Sequence, residues 1–150
     1  AKVKGGSTWN EPVCQTDLLA TCAEMVGAEL PPDAGEDSHS FYSVLLGQKP
    51  ETSRAPMIHH SSKGRFAIRD GKWKLVMPHV KQRAELYDLA ADPSEKKDLA
   101  KDHPEIVQRL TGRITSIVRK GRSTEGPDQS NDTPLWSDVG WIKDDSKPKK

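Results

Sequence analysis

Phe66-Ala67-Ile68-Arg69-Asp70-Gly71-Lys72-Trp73-Lys74-Leu75-Val76-Met77 is the stretch that decides the fold. Large apolar residues alternate at Phe66 and Ile68 and again at Trp73, Leu75 and Met77, around a central Asp70-Gly71 pair. Period-two alternation puts one set of side chains on one face of a strand, and a turn needing positive φ suits Gly and tolerates Asp. The stretch therefore predicts a β-hairpin with one buried face, and Glu85-Leu86-Tyr87-Asp88-Leu89 predicts a third strand. Trp73 and Tyr87 occupy alternating strand positions, so core packing explains them better than stacking on a sugar ring.

Downstream, Ala91-Asp92-Pro93-Ser94-Glu95 is a polar turn. Asp102 is placed to cap a helix whose first turn holds Pro104 and Glu105, where a missing N–H and a negative charge are both favourable. Ile106, Val107, Leu110, Ile114, Ile117 and Val118 form its apolar stripe. Arg119 and Lys120 suit its carbonyl end, and Gly121 is placed to stop it.

Upstream, Met57-Ile58 leads into His59-His60, which fits a strand entering a site or a surface loop. From Thr16, the residues Leu18, Leu19, Cys22, Met25 and Val26 share a helical face, predicting a short amphipathic helix with a buried stripe, capped by Gln15 or Thr16 and ended at Gly27. Pro31-Pro32-Asp33-Ala34-Gly35 breaks the chain before one or two helical turns around Phe41, Val44, Leu45 and Leu46. The order helix, hairpin, strand, helix gives an α+β fold: a small antiparallel sheet packed against a C-terminal amphipathic helix and preceded by a short helix. Residues 1–50 read as a linking segment with short helices and 51–122 as the ordered subdomain. Residues 123–150 read as a polar, flexible tail that Trp136 and Trp141 could dock.

Composition sets limits on function. Of 150 residues, 33% are hydrophobic and 30% charged, which suits a thin core in one domain or a piece of one. Lys and Arg total 23 against 22 Asp and Glu, a net charge of +1, and a nucleic-acid surface needs a dominant positive field. No nucleic-acid partner is expected, and no apolar run is long enough for a membrane span. Ala1-Lys2-Val3-Lys4 is not a leader, and the chain reads as soluble and as beginning mid-protein. The two cysteines, Cys14 and Cys22, are too few for a disulfide framework and read as buried thiols. No internal repeat is present.

Three motifs, in order, carry a resemblance. Arg69-Asp70-Gly71-Lys72-Trp73-Lys74-Leu75, Glu85-Leu86-Tyr87-Asp88-Leu89-Ala90-Ala91-Asp92-Pro93-Ser94-Glu95 and His103-Pro104-Glu105 resemble the C-terminal region of the formylglycine-dependent sulfatases, arylsulfatase-like members of the alkaline phosphatase superfamily. Asp98-Leu99 stands where that family usually has Asn-Leu. Gln15-Thr16-Asp17-Leu18-Leu19-Ala20-Thr21 is similar to the helix that follows its larger domain, with Ala20 where many members have Pro. The likeness covers about Val3 to Arg122.

The resemblance implies a sulfatase C-terminal subdomain from a parent that hydrolyses aryl or carbohydrate sulfate esters with a formylglycine nucleophile and Ca²⁺. Neither Cys14 nor Cys22 lies in the Cys/Ser-x-Pro/Ala-x-Arg modification motif, and the family's metal ligands belong to the larger domain. The expectation is therefore no catalytic residue, no metal site and no cofactor bound by this chain, which alone would be inactive. Its partners would be the missing N-terminal sulfatase domain and, through it, a sulfated small molecule or glycan. His59 and His60 are the candidates for the pocket, since an imidazole can hydrogen-bond a substrate or leaving group, with Lys63 and Arg65 as possible anion contacts. For each of the four, an ordinary surface or core role competes with that reading. His39, His79 and His103 are too scattered to form a local ligand set. The sequence assigns no compartment, although the family resemblance suits a periplasmic or secreted parent. The competing expectation is a stand-alone protein- or glycan-binding module derived from a sulfatase.

Overall fold

The computed structural model describes residues 3, 5–50, 54–130 and 137–142. They fall into two compact units, one made of Ala1–Ala55 with Lys120–Gln129 and the other of Pro56–Arg119 with Ser130–Lys150. Trp136 lies outside the described residues.

The second unit holds a four-stranded antiparallel sheet, with β1 (Met57–His60), β2 (Phe66–Asp70), β3 (Trp73–Val76) and β4 (Glu85–Asp88) side by side in chain order. The expected hairpin is β2–β3, but its loop is displaced by one residue. Asp70 pairs with Trp73, leaving Gly71-Lys72 as the two-residue connection. Only Gly71 has positive φ there, at 59°, which suits a II′-type turn with glycine first. Asp70 stays in the strand and accepts a hydrogen bond from Arg109 at 2.5 Å.

Register fixes the two faces. Ile58, Ile68, Leu75 and Leu86 stand opposite one another across the four strands and form a row on the face covered by α3 (Pro104–Lys120). Leu110 and Ile114 join Ile68, Leu75, Met77 and Leu86 in a cluster with no solvent exposure. Ile106, Val107 and Val118 pack on its margin, so the predicted helical stripe is the one that is buried. The helix begins at Pro104, so His103 rather than Asp102 takes the cap position. The His103 carbonyl accepts from Ile106 and Val107. The helix stops at Gly121 (φ 66°), where a Cβ would lie 2.6 Å from the Gln129 carbonyl oxygen.

The motif segments are braces for this sheet. Lys74 Nζ meets Glu95 at 2.6 Å and Lys72 meets Asp88 at 2.7 Å. Asp92 accepts from the Lys96 and Lys97 amides at 2.7 and 2.8 Å, building the turn expected there. Asp98 Oδ1 accepts from the Leu86 and Ala100 amides. An asparagine would offer the same oxygen, so Asp98 can fill the place where the family resemblance expects Asn.

Tyr87, buried on the opposite face, donates to Glu85 at 3.1 Å. Burial, and then that bond, push its phenol up to about 12. Because the folded state holds the proton more tightly, stability is full below the ordinary value of 10.0 and is lost as pH rises through about 12. In Tyr42→Phe, the remaining phenol is expected to ionise in an absorbance titration with a midpoint near 12. A midpoint at the ordinary value would show that Tyr87 is solvated.

In the first unit, α1 (Asp17–Val26) ends at Gly27 in left-handed conformation, and α2 (Tyr42–Leu45) is a single turn. The end of α1 is as expected, but its start and its buried face are not. Neither Gln15 nor Thr16 caps it with a side chain; the Asp17 carboxylate instead accepts from the Cys14 amide at 2.8 Å. Leu18, Leu19, Met25 and Val26 are about half or more exposed, Cys22 is exposed and Cys14 half-buried. The expected buried stripe and buried thiols are thus corrected: Asp17 and Thr21 point inward. The reason is polar. Asp17 receives the amides of Cys14 and His39 and the guanidinium of Arg54, and the Thr21 hydroxyl bonds the Asp17 carbonyl. Arg122, 6% exposed, donates to the carbonyls of Pro32 and Pro127 and to Thr124, so residues 120–129 are hydrogen-bonded into this unit.

Candidate functional site

β1 and the turn after it bring the sequence candidates to one end of the sheet. Alternation separates the two histidines. His59 faces the same side as Ala67, whereas His60 pairs with Phe66 and stacks on its ring at 4.1 Å. Phe66 in turn meets Trp141 edge-on at 5.7 Å, so Trp141 packs on this core margin beside the buried Val139 and Ile142.

Arg65 is a brace. Its Nε donates to the Met77 carbonyl at 2.9 Å, Nη2 to the Arg83 carbonyl at 2.6 Å, and Nη1 meets Glu85 at 3.3 Å. Those bonds fasten the 61–65 turn to the β3–β4 connection. Lys63, at the tip of the turn, is exposed and has no ion-pair partner among the described residues. Between turn and connection lies an open hollow of about 480 Å³, lined by Ser61, Lys63, Arg65, His79, Val80, Lys81 and Gln82.

Asp138, in a short 3-10 turn (Ser137–Val139), meets His79 Nε2 at 3.2 Å and His60 Nε2 at 3.5 Å. Burial works to raise its carboxyl, but the hydrogen bonds from His79 and Ser137 and the charges of His79 and His60 outweigh it and hold the group below its ordinary value. Gly64 lies against this carboxylate, leaving no room for a Cβ. His60 and His79 therefore share one carboxylate. Sequence reading missed this: Asp138 is 59 positions from His79, and no local pattern links them. His39 and His103 lie elsewhere, beside Ser123 and Glu105 respectively.

Residues 1–120 match the family described as N-sulphoglucosamine sulphohydrolase, C-terminal. The chain belongs to this family of sulfatase C-terminal regions. Among curated sulfatases, N-acetylgalactosamine-6-O-sulfatase of Bacteroides thetaiotaomicron is 36% identical over 69% of this chain and 23% of its own length. Human arylsulfatase D is 23% identical over 81% of this chain and 26% of its own. A sulfatase solved in work on glycosaminoglycan metabolism by Bacteroides thetaiotaomicron superposes with a TM-score of 0.61 at 35% identity, covering 67% of this chain and 24% of that one. A 2-O GAG sulfatase gives 0.54 at 28% identity, over 69% and 24% respectively. The chain thus spans about a quarter of the sulfatases it matches.

Sulfatases use Ca²⁺ and formylglycine. Among the described residues of this sulfatase C-terminal region, no three His, Cys, Asp or Glu side chains converge as a cation site. Cys14 and Cys22 stand in Cys-Gln-Thr-Asp-Leu and Cys-Ala-Glu-Met-Val, outside the modification motif. The donor set of the described residues fits neither group. No helix among the described residues is long and apolar enough to cross a membrane.

Proposed function

We propose that this chain is the C-terminal part of a sulfuric ester hydrolase acting on aryl or carbohydrate sulfates, and that it supports the substrate pocket while a larger N-terminal domain supplies nucleophile and metal. The observation that carries the reading is the match over residues 1–120 together with coverage of only about a quarter of each sulfatase relative. The open apolar face of α1 supports it. Leu18, Leu19, Met25 and Val26, between 49% and 79% exposed, leave four large apolar side chains of one short helix open to solvent, as expected where a partner covers them, and the larger domain is that partner. His59, His60, Lys63 and Arg65 lie at the end of the sheet offered to the pocket, with Arg65 shaping the wall and Lys63 available to an anion.

The test is the coding region preceding Ala1. An in-frame extension of several hundred residues carrying Cys/Ser-x-Pro/Ala-x-Arg is expected, and the full protein should release sulfate from an aryl or glycan sulfate. An extension without that motif would remove the proposal.

A further inference from the structure

We propose that the hollow between the 61–65 turn and the 78–82 connection binds a tetrahedral oxyanion, the sulfo group of a sulfated glycan, with His79 held in place by Asp138. The choice of a glycan rests on the sulfatase reading above; the oxyanion site rests on geometry alone.

Apart from Val80, the lining side chains carry hydrogen-bond donors. Lys63 and Lys81 stand on opposite walls, and neither has a hydrogen-bond or ion-pair partner among the described residues. Two ammonium groups on residues lining one hollow, neither neutralised by a neighbour, give it a positive field. The Ser61 hydroxyl accepts from the Arg65 amide and keeps its proton for a ligand. Gln82 is tied through its backbone to His79, which leaves its side-chain amide to donate. The carboxylates at this end are already engaged, Glu85 by Arg65 and Tyr87 and Asp138 by His60 and His79. The balance around the hollow is therefore cationic.

His79 completes the set. It lines the hollow, and its Nε2 is committed to Asp138 at 3.2 Å, which fixes the ring and leaves Nδ1 as the ring nitrogen without a protein partner among the described residues. Asp138 touches no ligand in this arrangement and is a positioning residue. The loop is also held in an unusual conformation. Val80 is β-branched, 87% exposed and has φ 52°, a region that such residues avoid. Strain of this kind persists where the surroundings fix it, and it collects at binding loops.

The experiment titrates the 150-residue chain, followed by NMR, with three probes: inorganic sulfate, a sulfated disaccharide and its desulfated counterpart. Saturable shifts are expected at Lys63, Lys81 and Gln82 with the sulfated disaccharide and, more weakly, with inorganic sulfate, but not with the desulfated sugar. Lys63→Gln combined with Lys81→Gln should weaken binding at least tenfold. Both side chains are exposed, so the fold should survive. Asp138→Asn should also weaken binding and alter the ring ¹⁵N pattern of His79, and Asp138→Glu should restore both. No saturation with any probe, or affinity unchanged in the double lysine variant, would overturn the site. Equal affinity for inorganic sulfate and the disaccharide would overturn the glycan assignment. Because no turnover is required, failure here leaves the sulfatase reading standing, and a missing nucleophile motif leaves this site standing.

Discussion

Replacing Asp17 by alanine is expected to destabilise the first unit by about 3–5 kcal/mol, the usual cost of removing one partner of a buried ion pair. Its carboxylate is 1% exposed and receives four donors: Arg54 Nη2 at 2.7 Å and Nε at 3.0 Å, the Cys14 amide at 2.8 Å and the His39 amide at 3.1 Å. Alanine would leave the guanidinium without its counter-charge and two backbone N–H groups without acceptors. Hydrogen exchange at Cys14 and His39 reads the loss directly, since both amides should exchange far faster in the variant. The double change Asp17→Asn with Arg54→Met should recover much of the stability, because neither partner is then left charged. Unaltered protection in Asp17→Ala would mean that the cluster is not a structural centre.

The same group sets an acid limit. Burial acts to raise the Asp17 carboxyl, but Arg54 and the Cys14 and His39 amides outweigh it and bring it below the ordinary 3.8. A depressed carboxyl contributes stability that is present above 3.8 and lost as pH falls through the folded-state value. Acid unfolding of the 14–39 region should therefore begin below 3.8 in the parent chain, and that dependence should vanish in Asp17→Asn.

Leu75→Ala should cost about 2–5 kcal/mol through lost burial and the cavity left behind. Leu75 has no exposure and stands between Ile68 and Leu86 in the row across the sheet, beneath Leu110 and Ile114 of α3. A denaturant melt followed by Trp73 and Trp141, which both pack on this cluster, should show the lower midpoint. Leu75→Met, which nearly preserves volume, should cost less than about 1.5 kcal/mol. Equal losses in the two variants would argue against a close-packed row.

The sequence by itself determined the elements whose signals are local. Alternation at Phe66, Ile68, Trp73, Leu75 and Met77 specifies a half-buried hairpin, because successive strand side chains point to opposite faces. Spacing from Ile106 to Val118 specifies the helix that covers it. The turn at Asp92 is legible because its carboxylate bonds amides a few residues away; the same role of Asp88 and Asp98 emerged only with the structure. Even locally, the turn was displaced by one residue: Gly alone satisfies a II′-type connection, so Asp70 could remain in the strand.

Tertiary structure decided what no local period encodes. The stripe on α1 shows which face is apolar but not what covers it, and a buried carboxylate with donors from positions 14, 39 and 54 turned Asp17 inward. His59 and His60 looked equivalent as neighbours, yet strand geometry sends them to opposite faces. Arg65 looked like an anion contact and became a brace, because two carbonyls and Glu85 lie within its reach. His79 looked isolated until folding brought Asp138 to its Nε2. Charge and hydrogen-bond partners far apart in the chain, around Asp17 and at Asp138 alike, meet only in the folded chain, so the hollow beside the 61–65 turn belongs to the fold and not to any motif.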